Sequence, residues 1–211
     1  MTGRWLDRGF HNTKKSFITI SPKPWYRIFL SRSLRPPDLN IGNAIKLMIE
    51  EWGFETKTVG IEVNVPDTYV PSRIRQEILA ANAVIAILMP RILDSVTNLW
   101  KTLEWAHDEI GITYGVDKPL LILKDSRVEP GGLPSFLIKQ GQTLFLEYEP
   151  DKLNQLRFRL ALLMPGFRQW IENQNSQAFL STLGKIAMGS LALLGGYEVI
   201  KRVMGWMEDS S

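Results

Sequence analysis

The chain has 211 residues, with 25 basic and 22 acidic side chains, a formal net charge of +3 and an isoelectric point near 9.1. A chain of this length can bury one core of about 150 residues and still carry extra segments. Cysteine is absent, which excludes disulfide frameworks, thiolate nucleophiles and cysteine-based zinc sites. The basic residues form no long run, so we expect no nucleic-acid partner.

The two histidines, His11 and His107, restrict the hydrolytic chemistry that this chain can carry. A Ser-His-Asp triad would have to use one of them, yet no Gly-x-Ser-x-Gly elbow occurs in the sequence. The pair Gly131-Gly132 lacks the Gly-x-x-x-x-Gly-Lys pattern of a phosphate loop and predicts a turn.

Residues 1–24 mix charged and aromatic side chains and lack the continuous apolar run of a secretory signal. We therefore expect an N-terminal arm and a cytoplasmic location. An aromatic and β-branched run over residues 25–30 predicts the first strand, and residues 31–38 predict its loop. Apolar residues at helical spacing predict a helix over 41–52, and residues 54–63 predict a second strand.

The rest of this domain continues the alternation of strands and helices. Residues 64–71 predict a proline-containing loop, and Pro71-Ser72 opens a helix. The uninterrupted apolar run 83–89 predicts a strand that is buried on both faces. The remaining predicted elements are a helix over 96–114, strands over 119–123 and 143–148, and a helix over 151–163 capped by Asp151.

This alternation predicts an α/β fold with a parallel sheet of about five strands and helices on both faces. Ligands of such sheets bind outside the carboxyl ends of the strands. In this chain, that edge gathers the segments 31–35, 64–69, 90–95 and 124–127.

Trp105 and Glu109 lie one helical turn apart and therefore on one face of the predicted helix. The apolar stripe of that helix contains Leu103, Ala106 and Ile110, which leaves Glu109 at its margin. A carboxylate in that position is partly desolvated. It can act as a nucleophile, a base or an acceptor for ribose hydroxyls.

Four segments resemble the TIR (Toll/interleukin-1 receptor) domain in its prokaryotic form, and together they cover about residues 25 to 165. They are Arg27-Ile-Phe-Leu-Ser-Arg-Ser33, Ile74-x-x-x-Ile78 with the following apolar strand, Trp105-x-x-x-Glu109-Ile-Gly111, and Lys118-Pro119-Leu-Leu-Ile-Leu123. The resemblance implies a flavodoxin-like TIR fold. The block from Trp105 to Gly111 is its most specific part.

Prokaryotic TIR domains typically cleave NAD⁺ at the nicotinamide glycosidic bond, or form cyclic ADP-ribose isomers, with a glutamate of this helix. By resemblance, that catalytic glutamate is Glu109, and neither a metal nor a cofactor is required. The substrate-binding residues implied are Trp105, Ser31, Arg32, Ser33 and Tyr69, the last from a loop over 64–69 that commonly caps the site in this family. The resemblance further implies an antiviral or cell-death effector that is activated by oligomerisation.

Glu104 offers a second match to the motif, because it follows Trp100 by four residues. Ile110-Gly111 and the spacing to Lys118-Pro119 fit only the alignment on Glu109, which we therefore prefer.

The character of the sequence changes after Pro165-Gly166, which gives an arm over 1–24, a TIR-like domain over 25–166 and a C-terminal segment over 167–211. Residues 178–200 are apolar except for a few, chiefly Lys185 and Glu198. The uninterrupted part, 186–197, spans only about 18 Å as a helix, against a hydrocarbon core of ~30 Å. We expect the segment 178–206 to attach the protein to a membrane or to form homo-oligomers.

Two alternatives to NAD⁺ cleavage stay open at the level of sequence. One is a non-catalytic TIR signalling scaffold that recruits partners through the loop 64–69 and the C-terminal segment. The other is an enzyme like the nucleoside deoxyribosyltransferases, whose related fold also uses a glutamate at a sugar carbon. The segment Ser31-Arg32-Ser33 and the tryptophan at position 105 favour NAD⁺ cleavage over the second alternative.

Overall fold

A five-stranded parallel sheet forms the centre of the computed structural model, which describes residues 26–62 and 70–173. The strands in chain order are β1 (Tyr26–Ser31), β2 (Phe54–Lys57), β3 (Ala83–Leu88), β4 (Ile92–Leu93), β5 (Trp100–Lys101), β6 (Leu120–Asp125) and β7 (Leu144–Tyr148). The main sheet has the order β2-β1-β3-β6-β7, while β4 and β5 form a separate antiparallel hairpin. The predicted flavodoxin-like fold class is therefore confirmed.

Helices cover both faces of this sheet. They are α1 (Pro36–Glu50), α2 (Val70–Ala80), α3 (Glu104–Gly115), α4 (Gly132–Lys139) and α5 (Leu153–Asn173). Apolar residues of α1 and α5 form one core with the sheet, and those of α2, α3 and α4 form the other. Every residue of β3 and β6 is buried, because helices cover both sides of these central strands.

The strand order creates a crevice at the carboxyl ends of β1 and β3. These strands are parallel neighbours, with Ser31 aligned on Ala86, but the chain visits β2 on the far side of β1 between them. The connections after β1 and β3 therefore leave in opposite directions. Parallel sheets bind their ligands at such a switch point.

Two element boundaries in the first half differ from the predictions. Helix α1 begins at Pro36 rather than near residue 41, since two prolines occupy its first positions, where the missing N–H groups cost nothing. Strand β2 ends at Lys57 rather than at residue 63. There the carbonyl of Thr58 accepts the N–H groups of Ile61 and Glu62, and Gly60 has a φ of +87°. This turn ends the strand.

The helix predicted over 96–114 is wrong in its first part, because residues 92–101 form the β4–β5 hairpin. The Asp94 carboxylate accepts the N–H groups of Val96 and Thr97 and pairs with Lys101 at 2.6 Å. Asn98 has a φ of +56°, a conformation that asparagine tolerates better than most residues. The polar turn residues thus overcome the apolar spacing that favoured a helix.

Helix α5 continues through Pro165 to Asn173, beyond the change in composition at Gly166. Its last turns belong to the core, where Phe167, Trp170 and Ile171 are buried. The helix starts at Leu153 after a 3₁₀ turn over Pro150–Lys152, and not at the predicted cap on Asp151.

The expected membrane association requires correction. Within residues 26–62 and 70–173, no helix combines the length and the apolar character needed to cross a membrane. Helix α5 is long enough at 21 residues, but it exposes Arg157 and other polar side chains on its outer face. The expected anchor over 178–206 lies outside the described residues, as do the arm 1–24 and the loop 64–69, and the three domain limits stay predictions.

Candidate active site

A cavity of about 380 Å³ opens at the carboxyl ends of β1 and β3, at the switch point of the sheet. The polar residues that line it are Ser31, Arg32, Ser33, Asp38, Arg91, Thr102 and Glu109. Its apolar walls include Val59, Ile74, Ile87, Met89 and Ala106. Its volume falls in the range of small-molecule sites, and its lining combines apolar walls with a few convergent polar groups.

The structure brings five of the six predicted site residues to this one cavity, namely Ser31, Arg32, Ser33, Trp105 and Glu109. The sixth, Tyr69, lies outside the described residues. These five come from two elements that are 70 or more positions apart in the sequence. The position of these side chains is thus established, while their catalytic and binding roles stay predictions.

Helix α3 holds Glu109 at the wall of the cavity. The helix buries Ala106, Ile110 and Thr113 against the sheet, so that Glu109 lies beside this buried stripe and is itself half-buried. The hydroxyl of Thr113 donates to the carbonyl oxygen of Glu109 at 2.6 Å, within the same helix. The carboxyl is therefore carried by a rigid element and not by a loop.

Burial raises the pKa of the Glu109 carboxyl from 4.5 to about 7. A hydrogen bond from the Ser31 hydroxyl opposes this rise, because it stabilises the carboxylate form. The neighbouring Asp108 carboxylate adds to the rise, since two like charges repel. The Glu109 carboxyl therefore titrates near neutral pH, which suits a group that acts as a carboxylate or exchanges a proton.

Trp105 lies one turn before Glu109 and contributes to the same cavity, as the helical spacing predicts. Its side chain is 53% exposed, which places the indole at the mouth and not in the core. An exposed aromatic ring beside a cavity offers a flat surface on which a planar heterocycle can stack.

Ser33 is engaged in the loop between β1 and α1. Its hydroxyl donates to Asp38 at 2.5 Å and accepts the backbone N–H of Arg35 at 3.3 Å. Both bonds hold the conformation of the loop that leaves β1. The part that Ser33 takes in substrate binding stays a prediction.

Arg32 extends across helix α1, where its Nη1 donates to the Asn43 side chain at 2.8 Å. Gly42 makes this path possible, because a Cβ atom at that position would stand 3.2 Å from Arg32 Nη1. Burial lowers the pKa of the Arg32 guanidinium. The group nevertheless stays charged at neutral pH, since arginine titrates far above it.

The cavity also contains Asp38, Arg91 and Thr102, which the sequence analysis did not single out. Arg91 belongs to the segment 90–95, which was expected at this edge of the sheet. A signal was available, because Pro90-Arg91 directly follows a fully buried strand, and charged residues there point towards the ligand edge. Asp38 and Thr102 offered no comparable signal, because neither residue directly follows a strand of the main sheet. Asp38 lies in α1, and Thr102 follows the hairpin.

The β4–β5 hairpin connects two segments that line the cavity, residues 90–91 and residues 102–103. Trp100 bridges to Val128, and the N–H of Glu129 donates to the Trp100 carbonyl at 2.8 Å. These bonds tie the hairpin to the loop that follows β6. Thr102 and Leu103, which follow directly, are thereby fixed at the cavity.

Lys118, which the family resemblance includes, has a structural role in this chain. Its ammonium group donates to the carbonyls of Leu79 and Ala81 at 3.1 and 2.6 Å, at the carboxyl end of α2. A cation there satisfies carbonyls that have no partner within the helix.

No group of three or more acidic or histidine side chains that could hold a metal ion occurs in the part of the chain that the structure describes. No protein-family model matches the sequence, and no curated protein matches it.

Several solved structures are similar to this chain. The CMP N-glycosidase BcmB of Clostridium botulinum is 18% identical over 64% of this chain and 98% of its own, with a TM-score of 0.46. A 2-deoxyribosyltransferase of Bacillus psychrosaccharolyticus is 16% identical over 62% and 90%, with a TM-score of 0.40. The TIR domains of the activated Roq1 resistosome are 16% identical over 88% and 99%, with a TM-score of 0.38. Such identities concern the fold and do not carry function.

Proposed function

We propose that this protein cleaves the N-glycosidic bond between nicotinamide and ribose in NAD⁺, with Glu109 as the catalytic carboxylate. The observation that carries the proposal is the position of this carboxyl. It is half-buried in a cavity at the switch point of the sheet, which Ser31 also lines, and it lies one helical turn from the exposed Trp105. This arrangement offers a fixed negative charge beside a surface for a planar base.

The reaction requires only one carboxylate from the site. The bond between C1′ of the ribose and the pyridinium nitrogen breaks, and its electron pair neutralises the pyridinium. Nicotinamide therefore leaves as a neutral molecule and needs no proton from the enzyme. Positive charge develops on C1′ and the ring oxygen of the ribose, where the Glu109 carboxylate stabilises it. Water then adds to C1′ and loses one proton, which gives ADP-ribose.

The ionised form of Glu109 performs this role, and the raised pKa is the consequence of a partly dehydrated site. In such surroundings an electrostatic interaction is stronger than in water. The Ser31 hydroxyl orients the carboxylate. The Trp105 ring stacks either on the departing nicotinamide or on the adenine of the ADP-ribose that remains.

The test is product analysis with the purified full chain. NAD⁺ is incubated with the protein, and nicotinamide and ADP-ribose, linear or cyclic, are quantified by chromatography over time. We expect nicotinamide release in excess of the enzyme and its loss in Glu109→Ala. Failure of the wild-type protein to release nicotinamide, as a dilute or concentrated sample, would overturn the proposal and favour the signalling-scaffold alternative.

Homo-oligomerisation and a role as an immune or cell-death effector rest on the family resemblance and on the sequence of residues 178–206. Both stay predictions. Self-association can be followed by light scattering during the NAD⁺ assay. Nicotinamide release per chain that increases with protein concentration would support activation by assembly, and a constant value would contradict it.

A further inference from the structure

Two arginine side chains share the cavity with Glu109. Arg32 follows β1 and Arg91 follows β3, the two neighbouring strands at the switch point. The backbone N–H of Arg91 donates to the Lys101 carbonyl at 2.8 Å, which fixes this residue against the hairpin. The guanidinium is therefore carried by a well-anchored segment, although 22% of its side chain remains exposed.

Each of these arginines has a buried N–H group without a hydrogen-bond acceptor. Arg32 Nε and Arg91 Nη1 are two of the six buried side-chain nitrogen and oxygen atoms that have no partner within residues 26–62 and 70–173. The other four belong to residues that do not line the cavity. A buried donor without an acceptor costs stability, so a ligand oxygen that accepted a hydrogen bond from either arginine would relieve a cost already present in the free protein.

The nearest acid does not satisfy Arg91. The closest approach between Arg91 Nη1 and Asp38 Oδ2 is 3.9 Å, which is too long for a hydrogen bond. The same Asp38 oxygen already accepts the Ser33 hydroxyl at 2.5 Å. Arg35 lies close enough to lower the pKa of Arg91 further, after the larger effect of burial. Among the charged groups that act on each other at Arg91, the two arginines therefore outnumber the one carboxylate.

We infer that Arg91, together with Arg32, binds a phosphate group of the substrate and makes the site selective for nucleotides over nucleosides. Guanidinium groups match phosphate oxygens with paired N–H donors, and they remain charged when they are partly dehydrated. The inference rests on the proposed function for the position of the bond that is cleaved. The recognition of phosphate stands on the two arginines alone.

A binding experiment tests this inference independently of catalysis. ADP-ribose and adenosine are titrated calorimetrically into the full-length wild type, Arg91→Ala and Arg91→Lys. Arg75→Ala serves as the control, because Arg75 is exposed on α2 and does not line the cavity. Circular dichroism verifies that each variant is folded. If Arg91→Ala does not fold, Arg32→Ala takes its place in the experiment.

We expect Arg91→Ala to weaken ADP-ribose binding by at least about tenfold and to leave adenosine binding within about twofold of wild type. Arg91→Lys recovers part of the loss, since it keeps the charge but not the paired donors. Equal ADP-ribose affinity in Arg91→Ala and wild type would overturn the inference. So would a parallel loss for ADP-ribose and adenosine, or no ADP-ribose binding by wild type.

The kinetic readout separates this inference from the proposed function. In Arg91→Ala we expect KM for NAD⁺ to rise at least about tenfold with kcat within about threefold of wild type. Nicotinamide riboside has no phosphate, so kcat/KM for its cleavage should be the same in Arg91→Ala and in wild type. An unchanged KM for NAD⁺ would overturn the role of Arg91 and leave the proposed function intact. If the wild type binds ADP-ribose selectively but releases no nicotinamide, the proposed function fails and the role of Arg91 in phosphate binding stands.

Discussion

Ser31, the last residue of β1, lines the same cavity as Glu109 of α3, and hydrogen bonding from its hydroxyl lowers the pKa of the Glu109 carboxyl. This interaction joins two elements that are far apart in the sequence, and it acts directly on the group that we propose as catalytic. It stabilises the carboxylate form, whereas burial and the Asp108 charge stabilise the protonated form. The balance sets the pKa of Glu109 to about 7.

Two substitutions should therefore move the pH profile in opposite directions. Activity that needs ionised Glu109 rises as the pH passes through about 7. Asp108→Asn removes a repelling charge, lowers the pKa of Glu109 and shifts this rise to lower pH. Ser31→Ala removes a stabilising hydrogen bond and shifts it to higher pH. The measurement is kcat/KM for nicotinamide release between pH 5 and 9, and shifts in the same direction would contradict the scheme.

The raised pKa of Glu109 also predicts how stability depends on pH. Because folding favours the protonated carboxyl, its contribution to stability is fully present below pH 4.5 and is lost as the pH rises through about 7. For a half-buried group, we expect this loss to be roughly 1–3 kcal/mol. Glu109→Gln abolishes it.

Urea unfolding at pH 4.5 and pH 8 measures the effect. The free energy of unfolding of Glu109→Gln relative to wild type should increase between these two pH values. Glu104→Gln, on the exposed first turn of the same helix, should show no such increase. A difference between Glu109→Gln and wild type that is the same at both pH values would argue against the raised pKa.

Gly60, in the turn that ends β2, should not tolerate a larger residue. Its φ of +87° disfavours any residue with a Cβ atom, and a Cβ there would stand 2.7 Å from Leu34 Cδ1. We expect Gly60→Ala to destabilise the protein by about 1–2 kcal/mol, mostly through the backbone conformation, because the exposed end of the Leu34 side chain can shift. Gly141→Ala is the control, since it has a positive φ of +63° but no atom within 4 Å.

Thermal unfolding of the two variants separates strain from steric contact. Gly141→Ala should cost about 1 kcal/mol from the backbone conformation alone. A cost for Gly60→Ala no larger than that for Gly141→Ala would show that the Leu34 contact is unimportant.

Asp94 should control the order of the β4–β5 hairpin. Its pKa is lowered to about 2 by the hydrogen bond with Lys101 and by the N–H groups of Val96 and Thr97. Asp94→Ala removes all three interactions, so amide exchange over residues 92–101 should accelerate at least about tenfold, as in local unfolding. Hydrogen exchange with mass spectrometry measures this.

The exposed Asp151→Ala is the matched control for Asp94→Ala. Exchange in β3 and β6 should stay as in wild type in both variants, because the hairpin lies outside the main sheet. Unchanged exchange of the hairpin in Asp94→Ala would show that its bonds to the β6–α4 loop are sufficient.

The sequence predicted the sheet because the apolar runs that became β3 and β6 are uninterrupted and too short for typical helices. The structure buries both strands on both faces, as such runs indicate. Helical spacing placed Trp105 and Glu109 on one face of a helix, and the alternation of strands and helices placed Ser31 at the ligand edge of the sheet. Their assignment to one site came from the resemblance to TIR domains. The hairpin was missed, since Val96, Leu99 and Leu103 have an apolar spacing that also suits a helix. The turn centred on Asp94 and Asn98 decides between the two structures.

The sequence placed Arg91 at the ligand edge of the sheet, but it could not show that the Arg91 side chain lacks a hydrogen-bond acceptor, for a different physical reason. Its environment depends on Asp38 from α1 and on Lys101 from β5, which come close to it only in the folded chain. Local pattern carries no information on the acceptors that a side chain will lack. The same holds for the pKa of Glu109, which depends on burial and on Ser31 from another strand.

The central claim is that the Glu109 carboxylate breaks the glycosidic bond of NAD⁺. The most direct measurement compares kcat/KM for nicotinamide release in wild type, Glu109→Gln and Glu104→Gln. Both variants exchange a glutamate of α3 for its neutral isostere, but only Glu109 lines the cavity. We predict a loss of at least about 10²-fold for Glu109→Gln and a change of less than about twofold for Glu104→Gln. Nicotinamide release by Glu109→Gln at the wild-type rate would contradict the claim.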